Sequence, residues 1–434
     1  MLRHLTGAYA LAVLLVAAAG CSEQEPDGSA KTGPPETVTI LGATSDHKKY
    51  MQRHFDQWAK TSGIHVTYVT SSDFENEAPE RLRSADPPDL LLLPQPALLS
   101  QFAEKGDVKD LEKMGLFDRD GLGRRMRPGL IDNGVVGGTL AGVPLSLNLK
   151  GLVWYPPQAF RKAAYQAPAT WEQMLALTAR IREEQKAAPW CIGIADGGAT
   201  GWMTTDWIED LVLRTAGPEV YDRWVAGELP FTAPEIKRAF TMFEQVALAD
   251  GNALGGRGHI VSTTFPEALK PMFQSPPGCW LNKQSSFIVG SFPEGTKAGS
   301  DYDVFPFPAP AGSDAADGSR AVIGGDILAL VQDRPAVRET ARLMTTADWF
   351  RQSRAHEGGT LSAFTDVSPG DYAHPVDATH AQILNRVRTF RFDGSDSMPP
   401  AVGAGSFWRE TTAWIAGRQD LDTTLRAIDA SWPR

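Results

Sequence analysis

Three short runs decide the fold: Thr37-Val38-Thr39-Ile40-Leu41-Gly42, Ile64-His65-Val66-Thr67-Tyr68-Val69-Thr70 and Leu90-Leu91-Leu92-Leu93. Each is rich in β-branched or aliphatic residues and ends at a turn former or polar residue, as buried strands do. Between the first two, Tyr50/Met51, His54/Phe55 and Trp58 recur at three- and four-residue steps, predicting a helix over 50–59 that stops at Gly63. The alternation strand–helix–strand–helix–strand implies a parallel sheet covered by helices. In such sheets ligands gather at the carboxyl ends of the strands. Those ends carry Asp46, Asp73 and Gln95, which become candidate ligand contacts.

Outward from this unit, Thr170-Trp171-Glu172-Gln173 reads as a capped helix start, with Thr at the cap and Gln three residues on. Residues 206–215 pair Trp207/Leu211 and Ile208/Val212 at helical spacing and stop at Gly217-Pro218. Residues 303–310 are extended and broken by proline, and 311–319 form a polar loop. Residues 321–331 give two apolar runs divided by Gly324-Gly325-Asp326, and 407–432 read as helical.

The chain has 434 residues, 42% of them hydrophobic, enough for two or three domains with buried cores. Its formal charge of −10 argues against sequence-independent nucleic-acid binding, whose affinity comes from Lys and Arg neutralising phosphates. The N-terminus places Arg3 and His4 before an apolar run over 9–19, too short for a membrane span and suited to a secretory signal. Residues 22–35 are polar and rich in Gly, Pro and Ser, as a flexible tether would be.

Three cysteines are too few for a disulfide scaffold. Cys21 follows Ala18-Ala19-Gly20 directly after the apolar run. That leaves Cys191 and Cys279, readable as a disulfide in an oxidising compartment or as two buried thiols. Catalytic motifs fail on inspection. Residues 290–297 approach a phosphate loop but end Thr296-Lys297, and His356-Glu357 lacks the second histidine of a zinc-protease helix. No Gly-x-Ser-x-Gly elbow occurs. The scattered histidines nominate no metal site, and no cofactor is implied.

Several segments together resemble the bacterial extracellular solute-binding proteins that serve ABC importers, in their sugar-binding branch. The likeness rests on Asp86-Pro87-Pro88-Asp89-Leu90, on Gly137-Gly138-Thr139-Leu140-Ala141-Gly142-Val143-Pro144, on Leu152-Val153-Trp154-Tyr155, on Pro168-Ala169-Thr170-Trp171-Glu172 and on Gly324-Gly325-Asp326. Pro189-Trp190-Cys191, the run from Gly201 to Asp210 and Gly278-Cys279-Trp280-Leu281 resemble the subgroup binding α-glucosides and glucosylated polyols, where the two cysteines are paired. The end of the signal resembles a lipobox, with Cys21 lipidated. One departure is Trp154-Tyr155-Pro156, where the family usually has Tyr-Asn.

The resemblance implies an α/β, two-lobed periplasmic-binding-protein fold, each lobe a mostly parallel sheet flanked by helices, with the ligand cleft at the hinge. Residues 1–20 would be the signal and 21–36 the tether. Residues 37–147 with 304–355 would form one lobe, and 148–303 with 356–434 a second, mostly helical one. The expected molecule is a monomeric, non-catalytic receptor held by its lipid on the extracytoplasmic face of the membrane, with a carbohydrate ligand and permease subunits as partners. The same scaffold binding an amino sugar or glycerophosphodiester, a secreted glycoside hydrolase, and a receptor coupled to a sensor kinase are the alternatives.

Sugar rings lie on Trp or Tyr faces while a few polar groups meet their hydroxyls. Six of the twelve tryptophans fall between Trp154 and Trp224. Trp154 and Trp202 are therefore candidate stacking residues, while Trp207 fits an apolar helix stripe. Asp206 is either a helix cap or a hydroxyl acceptor. Gly325 and Asp326 are either a ligand contact or a turn, and Phe407 and Trp408 either wall the cleft or pack the hinge.

Overall fold

The computed structural model describes residues 36–43, 48–315, 318–353, 355 and 358–433. The signal, the tether with Cys21, Asp46 and His356-Glu357 lie outside the described residues. Strand β1 (Glu36–Ala43), helix α1 (Lys48–Ser62), β2 (Ile64–Ser71), α2 (Phe74–Leu82), β3 (Leu90–Leu93) and α3 (Pro96–Lys105) follow one another as the alternation requires. Strand β1 pairs in parallel with β2 on one side and β3 on the other. Two late arrivals complete this sheet antiparallel, Ile327–Leu330 beside β3 and then Val143–Pro144.

Both faces of this sheet are buried, which is why its strands read as unbroken apolar runs. Val38, Ile40, Leu90, Leu92, Leu328 and Leu330 join the core on one face. Leu41, Leu91, Leu93, Ile327 and Ala329 join Leu98, Leu99 and Phe102 of α3 on the other. The two-residue period of a strand sends alternate side chains to opposite sides.

The second sheet is mixed, ordered Asp303–Pro306, Leu152–Tyr155, Cys279–Lys283, Ala188–Trp190. Its first two pairings are antiparallel and the last is parallel, so the expectation of mostly parallel pairing fits the β1–β3 unit and not this one. Local periodicity cannot register the difference, because pairing direction depends on how distant segments return. Strand Asp303–Pro306 belongs here, with Phe305 against Tyr155 at 5.6 Å between rings, so the expected boundary at 303/304 falls inside a strand. A third sheet, ordered Leu361–Ser362, Ser146–Leu149, Arg320–Gly324, Thr389–Phe392, holds the segments that pass between the other two.

A large aromatic core supports the second sheet. Trp190, Trp207, Trp224, Phe240, Phe243 and Phe407 are among its members, several in edge-to-face contact near 5–6 Å. Cys191 and Cys279 form a disulfide across 88 residues, with Cα atoms 5.4 Å apart. Thr170 accepts the Gln173 N–H at 3.3 Å, while the Gln173 side chain reaches back to the Ala169 N–H, one residue beyond the simple capping box. Among the described residues no helix is long and apolar enough to cross a membrane.

Candidate functional site

The carboxyl ends of β2 and β3 present Asp73, Glu75 and Gln95. Asp73 stands just before α2 and is exposed, with Oδ1 accepting the Asn76 side-chain amide at 2.8 Å. Gln95 stands immediately before Pro96 of α3 and is only 4% exposed. Its Nε2 donates to Glu75 Oε1 at 2.7 Å, while its own Oε1 is buried with no partner. Burial pushes the Glu75 carboxyl above its ordinary range, and the neighbouring charges of Asp73 and Asp196 add to the rise.

Facing them is the start of the helix Trp202–Thr215. It begins at Gly201, whose φ of +115° and close approach require glycine, since a Cβ there would lie 2.6 Å from the Trp408 carbonyl oxygen. Trp202 is half-buried, donates Nε1–H to Asp196 Oδ2 at 2.7 Å, and meets Phe265 and Phe287 at 5.3 and 5.8 Å. The ammonium of Lys150 lies 4.9 Å from its ring centroid, a cation–π distance. At the loop before the helix, a Cβ on Gly198 would lie 2.2 Å from Asp73 Oδ1, so this loop rests directly on the strand-end rim.

Behind Trp202 the helix is buried all round, including its charged residues Asp206, Glu209, Asp210 and Arg214. Lys150 Nζ bridges Asp206 at 3.1 Å and Asp393 at 2.7 Å. Lys283 Nζ contacts Asp210 at 3.0 Å and the Asp206 carbonyl at 2.8 Å. Glu209 accepts the N–H groups of Gly394 and Ser395 at 2.8 and 3.0 Å. Ser395 in turn donates to Asp393 at 2.9 Å and accepts from Thr205 and from the Trp408 indole.

Burial alone would raise Asp393, but Lys150 and hydrogen bonds from its neighbours hold it down to about 2. Burial, with the Asp393 charge beside it, pushes Asp206 up to about 8 against the pull of Lys150. Glu209 and Asp396 are driven well up by burial and by Asp393. Burial works against the Lys150 charge, yet Asp206, Asp393 and Asp396 hold it well above its ordinary value. Asp206, Glu209 and Asp393 offer carboxylate oxygens within 4.8 Å of one another, a spacing that could suit a metal ion. Lys150 already takes the positive position there, and both Glu209 oxygens accept backbone N–H groups.

Of the expected contacts, Asp73, Gln95, Trp202 and Asp206 fall in this region, and Trp408 lies against it through Ser395. Asp206 sits one turn inside the helix and is no cap, correcting that reading. Trp154 is fully buried, its indole N–H donating to the Gln284 carbonyl at 3.2 Å among Phe292, Tyr302 and His380, so it is core. Phe407 is core as well, packed on Trp224, Phe231 and Phe240.

Gly325 is a packing glycine, since a Cβ there would lie 1.9 Å from the Ser146 carbonyl oxygen. Asp326 exchanges hydrogen bonds with Ser146 at 3.1 and 3.2 Å, which fits the turn reading. Sequence reasoning missed Glu75, Lys150, Asp196, Glu209, Asp393 and Asp396. One signal was available: Asp206, Glu209 and Asp210 share a helix face amid apolar residues, a pattern that asks for buried counter-charges.

The chain matches the bacterial extracellular solute-binding protein family over residues 43–349. It is 34% identical to the osmoprotective compounds-binding protein GgtB of Synechocystis sp., with 92% of each chain covered. It is also 34% identical to the alpha-glucosides-binding periplasmic protein AglE of Rhizobium meliloti, covering 92% of this chain and 87% of that one. Among solved structures, the galactopyranose receptor AcbH superimposes with a TM-score of 0.75 at 17% identity, covering 92% of this chain and 97% of that one. Maltose-bound MalE3 of T. maritima superimposes at 0.70, also at 17% identity, covering 91% and 98%. These superpositions establish a shared fold, and the extent of the sequence match establishes kinship: the chain belongs to the bacterial extracellular solute-binding protein family.

Proposed function

We propose that this protein is the extracytoplasmic receptor of an ABC importer and captures an α-glucoside or glucosylated polyol without transforming it. The observation that carries the reading is the meeting of Trp202 with polar groups from two sheets: Asp73, Glu75 and Gln95 on one side, Asp196 and Asp396 on the other. An aromatic face beside a few fixed acceptors is what a pyranose needs, since its CH faces are apolar and its hydroxyls are not. The ligands named for the two 34%-identical relatives, osmoprotective compounds and α-glucosides, point to the same class. Lipidation at Cys21 would hold the receptor at the membrane as a monomer. The segments 37–147 with 304–355 and 148–303 with 356–434 would close on each other around the sugar.

A ligand that binds only the folded state raises apparent stability by mass action, by about 2.7 kcal/mol at a hundred times its Kd. Thermal melting with a panel of disaccharides and glucosyl-polyols should therefore show a clear rise for at least one member. Trp202→Ala should weaken that ligand by about tenfold to a hundredfold, in line with the 0.5–1.5 kcal/mol of an aromatic contact plus its buried area. No shift across the panel would refute the sugar reading, and glucose released from maltose would refute a non-catalytic role. Membrane release of Cys21→Ser after fractionation tests the anchor.

A further inference from the structure

The rim around Trp202 is acidic from both sides. Asp73 and Glu75 come from the end of β2 and the start of α2, and Asp196 from the loop before Trp202. Their fields overlap: Asp73 and Asp196 act on Glu75. Among the described residues, no hydrogen bond or ion pair joins any of the three to a lysine or arginine. The cation behind the rim, Lys150, is bound by Asp206 and Asp393 and lies against the Trp202 ring.

A second, independent feature points to the ligand. The Gln95 carboxamide is buried and tied to Glu75 by its nitrogen, which leaves its oxygen facing no donor. A buried acceptor without a donor costs free energy. An incoming hydroxyl or ammonium satisfies it, and a carboxylate or phosphate oxygen repels it.

Resting on the receptor reading above, we propose that this cleft selects by charge. It accepts neutral or amine-bearing glycosides and rejects the same scaffold carrying a carboxylate or phosphate, with Glu75 as the residue that sets the discrimination. Like charges about 4–6 Å apart at an effective dielectric near 20 imply a discrimination of about a hundredfold or more.

The test is calorimetric titration at pH 7.5 with matched pairs: glucosylglycerol against glucosylglycerate, which differ by CH2OH for COO−, and trehalose against trehalose 6-phosphate. The expected result is a neutral member that binds and an anionic partner at least about a hundredfold weaker. Glu75→Gln should narrow that ratio by tenfold or more, and Asp196→Asn, which still offers Trp202 an acceptor, should narrow it in the same direction. An anionic member binding within threefold of its neutral partner overturns the charge rule while leaving the receptor reading standing. So does a ratio unchanged in both variants. Binding of anions alone overturns the rule, and silence of both pairs together with the wider sugar panel refutes the receptor reading and this inference with it.

Discussion

The two sides of the region around Trp202 are built differently. On the first sheet the polar groups stand on strand-end loops and have few partners: Asp73 is exposed, and Gln95 keeps a buried oxygen without a partner. On the opposite side Trp202 is backed by a buried network in which Lys150, Lys283 and Arg214 lie among Asp206, Glu209, Asp210 and Asp393. A side whose charges are already paired can hold an aromatic platform in place. The same residue types thus stand in different settings on the two sides, and burial with charged partners is what separates them.

That contrast can be broken experimentally. Lys150→Met should do the most damage, about 3–5 kcal/mol, because removing the cation of a buried ionic group leaves the Asp393 carboxylate uncompensated beside Asp206. Urea unfolding measures it, and a loss below about 1 kcal/mol would mean the network is not a support. Next in size is the disulfide, which ties Cys191, just past strand Ala188–Trp190, to Cys279 in the neighbouring strand. Replacing Cys191 and Cys279 with serine should cost about 2–5 kcal/mol, since the bond closes 88 residues of chain. Unchanged melting of the double variant would contradict this.

The smallest effect, counted per pH unit, is a pH slope. Asp206, pushed up to about 8 by burial, and Glu209, raised in the same way, keep their protons in the fold and lose them in the unfolded chain. The native state therefore binds more protons between about pH 4 and 8, so stability falls as pH rises through that window, by at most about 1.4 kcal/mol per pH unit for each group. Asp393, held near 2, acts oppositely and only as pH falls below about 4. Melting temperature should decline from pH 5 to 8 and decline less in Asp206→Asn. A flat or rising profile would show that these carboxyls are ionised in the fold.

Much of the first sheet was legible because its signals are local. A run of four leucines can be a buried strand wherever it lies, and Leu90–Leu93 is one. The strand-end rule led from there to Asp73 and Gln95. Aromatic residues gave the opposite lesson. Trp154, Phe407 and Trp202 are comparable in sequence, yet Trp154 and Phe407 are fully buried and Trp202 stands half-open beside the rim. Glu75 and Lys150 were invisible for a related reason: each acquires its role from partners far away in the chain, as Lys150 does from Asp206 and Asp393.

By itself the sequence determined the alternation of strands and helices around β1–β3 and the candidate contacts at their ends. Both follow from side-chain periodicity over a few residues. The tertiary structure decided the mixed second sheet, which aromatics are core, and the gathering of Lys150, Asp206, Glu209 and Asp393 behind Trp202. Pairing direction and charge compensation are set between segments a hundred or more residues apart. No local pattern encodes them, because their energy depends on burial that exists only once those segments have met.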